Sequence, residues 1–178
     1  MGLWTLRMGD SIRHCAEVFG QKRLDTVTGS LRTLVLALLS DDIIDEWIKI
    51  PSADEPDHPQ IKDYSPHVFA GCRGALDGTH IGVKVPKRVR DVYVSGRKDE
   101  PTINVFAACN FDFDFIAIYA GVEGSVHDSR VLEMARATGN FAMPPGQYLL
   151  GDAGYGLSTD VLTPHRSVKY HTWEPGAV

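Results

Sequence analysis

The sequence predicts a mixed α/β domain, a mixed sheet with helical cover, preceded by a helical segment. Three observations predict this. Two strand-like runs, Thr102–Cys109 and Phe113–Gly121, are separated by only a short turn, so they are antiparallel neighbours. A helical face of Val131, Leu132 and Ala135 precedes the next strand, which implies a parallel crossover. Residues 10–50 carry apolar side chains at helical spacing.

The elements follow in chain order. Asp10 or Ser11 caps a first helix with Ile12, Cys15, Val18 and Phe19 on one face, and Gly20 ends it. Asp25 or Thr26 caps a second helix with a stripe of Val27, Leu31, Leu34, Val35 and Leu38. Ile43, Ile44, Trp47 and Ile48 continue its pattern to Pro51. Two helices joined by a short turn fit either a DNA-binding helix-turn-helix or a hairpin packed on a larger domain. Four prolines and mixed charge mark residues 51–69 as a linker or a wrapping loop. The expected division is a helical segment with linker over 1–65 and a core over 66–178.

Within the core, the first strand is expected at Ala75–Val85 and residues 86–100 as a polar, basic loop. The second and third strands follow. Ser125 can cap the helix after GVEGS, and Pro144, Pro145 and Gly146 break it. A fourth strand, Gln147–Leu150, runs into Gly151-Asp152-Ala153-Gly154-Tyr155.

Composition limits the function. The chain has 178 residues, enough for one domain with a sizeable core, with or without a small appendage. Its net charge of -5 argues against a protein that coats nucleic acid by charge alone. It does not exclude a nuclease, because an acidic metal site is offset by its cations. Cys15, Cys72 and Cys109 lack zinc spacing and read as reduced, mostly buried thiols. The apolar run near Leu34–Leu39 is too short to span a bilayer, and no signal-peptide core appears. The expected location is intracellular, nuclear or cytoplasmic, with no membrane partner.

Three carboxylates stand out. Asp77 interrupts the apolar, glycine-rich run GALDGTHIGV, Asp128 opens the helix in GSVHDSR, and Asp152 sits at a strand end, where ligand sites gather in open α/β sheets. Two carboxylates on adjacent strands can share divalent cations, and two cations about 3.5–4 Å apart activate a water and stabilise the leaving oxygen of a phosphodiester. Each residue also has a plainer role. Asp77 can pair with Arg73 or Lys84 or cap a turn at Gly78. Asp128 can sit at a helix N-terminus for the dipole, and Asp152 can form an Asx-turn into Gly154. His80 and His127 are possible ligands or acid/base groups. Arg97 and Lys98 either contact substrate phosphate or belong to a solvated loop.

Five stretches carry a resemblance: GALDGTHIGV, SGRKDEPTINV, AGVEGSVHDSRVL, PPGQYLLGDAGY, and LTPHR followed by KYH. In this order, over about residues 72–173, the chain resembles the PIF/Harbinger DDE transposases and the nucleases domesticated from them. The resemblance implies an RNase H-like fold and a Mg²⁺ or Mn²⁺ site that cuts DNA. It assigns Asp77 and Asp152 as the first two catalytic acids and Asp128 to the metal site. It also implies a Myb-like partner protein for DNA binding. The family's third acid, a helical Glu, has no counterpart: only 26 residues follow Asp152 (178 − 152), and Glu174 resembles the acidic residue after the YH motif. The expectation is therefore a C-terminally truncated core. The expected function is a two-metal DNA endonuclease. The alternative is an inactive or domesticated remnant that binds DNA or protein. A metal phosphoesterase of another fold, built on the Asp/His pairs 77/80 and 127/128, is a third reading. Oligomeric state and DNA target are not legible.

Overall fold

The computed structural model describes residues 1–64, 67–96 and 99–165. The chain divides into two compact units, Met1–Trp47 and the remainder from Ile48.

The first unit is helical: α1 (Gly2–Met8), α2 (Ile12–Val18), α3 (Leu24–Leu38) and α4 (Asp41–Trp47). Ser11 caps α2 by accepting from the His14 amide, and Gly20 beyond the helix adopts a φ of 61°. A small core of Cys15, Ala16 and Val27 forms, with Met1, Trp4 and Ile12 packed on it. Three details differ from the sequence pattern. Helix α1 was not expected: its seven residues are too few for a clear apolar period. Helix α3 starts at Leu24 with Arg23 at its N-cap, and neither Asp25 nor Thr26 caps it. The apolar stripe does not run on to Pro51: the chain breaks at Leu39–Ser40, and Leu38 and Trp47 are exposed, Trp47 by 71%.

In the second unit, residues 48–57 wrap onto the sheet, and α5 (Pro59–Tyr64) follows. The 8%-exposed Arg73 anchors the wrap by pairing with Asp57 at 3.2 Å and donating to the carbonyls of Glu55 and Pro56. Gln147 donates to the carbonyls of Ser52 and Ala53. A buried guanidinium needs such partners, because an unpaired charge in the interior is costly.

The sheet contains β1 (Cys72–Gly82), β2 (Thr102–Cys109), β3 (Phe115–Glu123), β4 (Tyr148–Leu150) and β5 (Val161–Leu162), in the order β3-β2-β1-β4-β5. The β1–β2 and β2–β3 pairs are antiparallel, and the β1–β4 and β4–β5 pairs are parallel. This is the mixed α/β architecture expected, with the strand order of an RNase H-like sheet. Strand β1 begins earlier than the pattern implied, because Cys72 already pairs with Tyr148 of β4. The register shifts at Gly74, where a Cβ would overlap the Cys109 carbonyl oxygen, so only glycine fits. Residues 86–100 are not simply a loop: a 3₁₀ turn (Lys87–Val89) leads into the short helix α6 (Arg90–Tyr93). Strand β5 was not expected, since two residues carry no period.

Helix α7 (Asp128–Ala137) closes the crossover, with His127 rather than Ser125 as its N-cap. It buries Val131, Leu132 and Ala135 against Leu76, Phe106, Leu149 and Val161. Phe106 and Phe141 meet edge to face, with centroids 5.3 Å apart. Such a pair contributes about 0.5–1.5 kcal/mol beyond its burial. The opposite sheet face is open: Ile81, Phe115 and Ile118 are 51%, 53% and 37% exposed. Among the described residues no helix is long and apolar enough to cross a membrane, and the three cysteines are free thiols.

Arg136, in the last turn of α7, reaches Asp160 just before β5 through two bonds, Nε at 3.0 Å and Nη2 at 2.7 Å. Burial opposes the Asp160 carboxylate. Hydrogen bonds from Ser158 and Arg136, and the guanidinium charge, outweigh it and hold the pKa below the ordinary value. A carboxyl with a depressed folded pKa stabilises above its unfolded pKa, and that contribution is lost as pH falls through the folded value. Asp160→Asn is expected to cost about 1 kcal/mol at neutral pH. The gap in urea-unfolding stability from wild type should close as the pH falls below the ordinary carboxylate range.

Candidate functional site

The register of β1 positions the site. Leu76, Gly78 and His80 face α7, so alternation sets Asp77 on the opposite, open face. There Asp77 opposes Ala107 of β2, which in turn opposes Ile118 of β3. On the other side, Ala75 is level with Leu150 of β4, and the strands are parallel. Strand β4 ends at Leu150, so Asp152 follows two residues past the end of the strand that pairs with β1. Gly151 packs close to β1: a Cβ there would lie 3.2 Å from Leu76, the residue before Asp77.

Both aspartates are exposed, and each spends one oxygen on nearby backbone. Asp77 Oδ1 accepts from the Gly78 amide at 2.7 Å, and Asp152 Oδ1 accepts from the Gly154 amide at 2.8 Å. The turn-forming roles that the sequence left open are therefore filled. The ion pair left open for Asp77 is not: Arg73 is committed to Asp57, and no described cation pairs with Asp77 or Asp152. Among the described residues, the other oxygen of each carboxylate has no donor.

Asp128 lies on the other face, at the first position of α7. Its Oδ1 accepts from Asn104 Nδ2 at 2.7 Å. Asn104 is fully buried and also donates to the Val126 carbonyl, so it ties β2 to the start of α7. A Cβ on Gly78 would lie 2.8 Å from the Asp128 carboxyl carbon and 3.0 Å from the Tyr155 hydroxyl. Glycine at 78 thus lets a carboxylate and a phenol approach the strand directly.

Tyr155 reports the charge of the site. Its hydroxyl is buried without a hydrogen-bond partner. Burial raises its pKa first, and the carboxylates of Asp128, Asp77 and Asp152 add to the rise in that order. All three carboxylates raise the pKa of this one phenol, and no described cation pairs with them.

His80 Nδ1 lies 3.0 Å from Thr102 Oγ1. His127 Nδ1 accepts from the Ser129 amide, as an N-cap does. Arg97 and Lys98 lie outside the described residues, as does Glu174. Asn104 and Tyr155 were missed as site residues. An amide inside the apolar strand TINVFAAC was the available signal for Asn104, since a buried polar side chain must find a partner.

The donor set suits a hard divalent cation in part. Mg²⁺ takes one or two carboxylates and completes its shell with water and phosphate oxygens, and Asp77 and Asp152 are two exposed carboxylates that pair with no described cation. Among the described residues, no group of three His, Cys, Asp or Glu side chains stands close enough to hold an ion.

Comparison with known proteins gives the same direction. Proteins named "Putative nuclease HARBI1" match over 167 residues, at 30% identity in Rattus norvegicus and 28% in Mus musculus. Each match covers 92% of this chain and 44% of the relative, so the chain spans less than half of their length. No solved structure matches. The family model described as DDE superfamily endonuclease matches residues 76–176, which include Asp77, Asp128 and Asp152. The chain belongs to the DDE superfamily endonuclease family.

Proposed function

We propose that this chain is a metal-dependent nuclease core that cuts DNA phosphodiester bonds. One observation carries the reading: Asp77 on β1 and Asp152, two residues past the end of the neighbouring parallel strand β4, each hold one carboxylate oxygen on a local backbone amide and pair with no described cation. Their backbone hydrogen bonds fix the carboxylates, so little ordering is needed when a cation arrives. Bound there, Mg²⁺ or Mn²⁺ supplies an activated water and charge stabilisation at the leaving oxygen. Asp128 is a supporting residue, held by Asn104 and adding negative charge from the other face of β1. The open face admits a DNA strand, with Arg97 and Lys98 as phosphate contacts. A Myb-like partner and a nuclear location belong to the same reading.

A second reading, a non-cleaving metal- and DNA-binding module, is favoured by a separate observation. No third carboxylate joins Asp77 and Asp152 among the described residues. Metal binding and cleavage, measured side by side, separate the two.

Calorimetry with Mn²⁺ and a plasmid-nicking assay, run on the same preparations, provide the test. Wild type is expected to bind the ion and nick DNA. The double variant Asp77→Asn/Asp152→Asn should lose binding, and its cleavage should drop about 100-fold or more. Cleavage unchanged in the double variant would sink the nuclease reading, and binding without cleavage in wild type would favour the module.

Gly78→Ala tests the packing of Asp128. The added methyl meets the Asp128 carboxylate, and Asn104 holds that carboxylate in place. Overpacking of this kind costs about 1–3 kcal/mol, which urea denaturation should resolve.

A further inference from the structure

A pocket of about 200 Å³ opens at the start of α7, on the face of β1 opposite Asp77. His80, Ser95, Gly124, Ser125, His127 and Asp128 line it. It is below the ~300–1,000 Å³ of drug-sized ligand sites, so it suits one small group. We propose that it binds a phosphate group, separately from the carboxylate pair.

The donors converge there. Ser95 is 8% exposed, lines the pocket, and its hydroxyl has no partner among the described residues. A buried hydroxyl without a partner is rare in native proteins, which points to an absent ligand. His127 Nδ1 accepts the Ser129 amide at 3.3 Å and lies 3.0 Å from the Ser129 hydroxyl, which, among the described residues, leaves Nε2 as the ring nitrogen to meet a ligand. The amide of Asp128 is the first of the helix and has no intrahelical acceptor. The ten-residue helix adds the positive end of its dipole, which favours anions. Asp128 opposes an anion, but its Oδ1 is drawn toward Asn104 and lies against Gly78, on the strand side.

Two sources share this chemistry: a backbone phosphate of a DNA strand, and a free phosphate. The full 178-residue chain is titrated in EDTA, so that the carboxylate pair holds no metal and plays no part. Histidine ¹⁵N spectra follow inorganic phosphate, and fluorescence anisotropy follows a short labelled DNA duplex. Ser95→Ala removes the hydroxyl, and His127→Asn removes the Nε2 donor while keeping an N-cap side chain. Both variants should keep the wild-type melting temperature, and each should weaken binding by about tenfold. Weakening with both probes assigns a general phosphate site, and weakening with DNA alone assigns a strand phosphate. Folded variants that bind both probes as wild type does, or an Nδ1–H tautomer at His127, would overturn the proposal.

Discussion

The double-sided pairing of β1 is the constraint on which the rest depends. This strand bonds antiparallel to β2 on one edge and parallel to β4 on the other. It pairs with β2 from Ala75 to Gly82 and with β4 at Cys72 and Ala75, and its register cannot slip without turning Leu76 out of the core. One residue of slip would also move Asp77 from the open face into the packed one. The apolar partners of Leu76 thus hold a carboxylate where solvent and ligands reach it. Stability and site geometry come from the same alternation.

Two glycines make the arrangement possible at close quarters. Gly74 lets β1 bulge against the Cys109 carbonyl, and Gly78 lets the Asp128 carboxylate approach the strand from α7. Between them lies Asp77, so the acidic strand residue is flanked by positions that tolerate no ordinary side chain. The result is a concentration of negative charge, with Asp77 and Asp152 on one face and Asp128 on the other. Tyr155, with an unpartnered buried hydroxyl, feels all three. A cation is the chemical complement of that charge, and a phosphate fits the donors on the far side of β1. The proposed cation and phosphate surfaces are thus divided by one strand.

Much of the core was legible in the sequence. Strand β2 falls on the expected residues, Thr102–Cys109, because eight residues of apolar character bounded by turn signals leave little choice. Val131, Leu132 and Ala135 are buried on α7 as their spacing implied. The short elements were not legible. α1, α6 and β5 hold seven, four and two residues, too few for periodicity to rise above chance. The N-cap of α7 also differed: a histidine accepts the amide where a serine two residues earlier looked better suited by type.

The sequence by itself determined the family, through the resemblance of five motifs in fixed order, and singled out Asp77, Asp128 and Asp152 as candidates. Only the tertiary structure decided how they stand to one another. The parallel β1–β4 pairing brings the strand that carries Asp77 and the strand end that leads to Asp152 into one sheet, across 75 positions of chain (152 − 77). The crossover to α7 sets Asp128, the first residue of that helix, on the packed face, where Asn104 holds it. The same structure turned His127 into a cap and left the Ser95 hydroxyl facing a pocket. The physical reason is that residue type is written locally, whereas the face and level of a side chain depend on hydrogen bonds to strands distant in sequence.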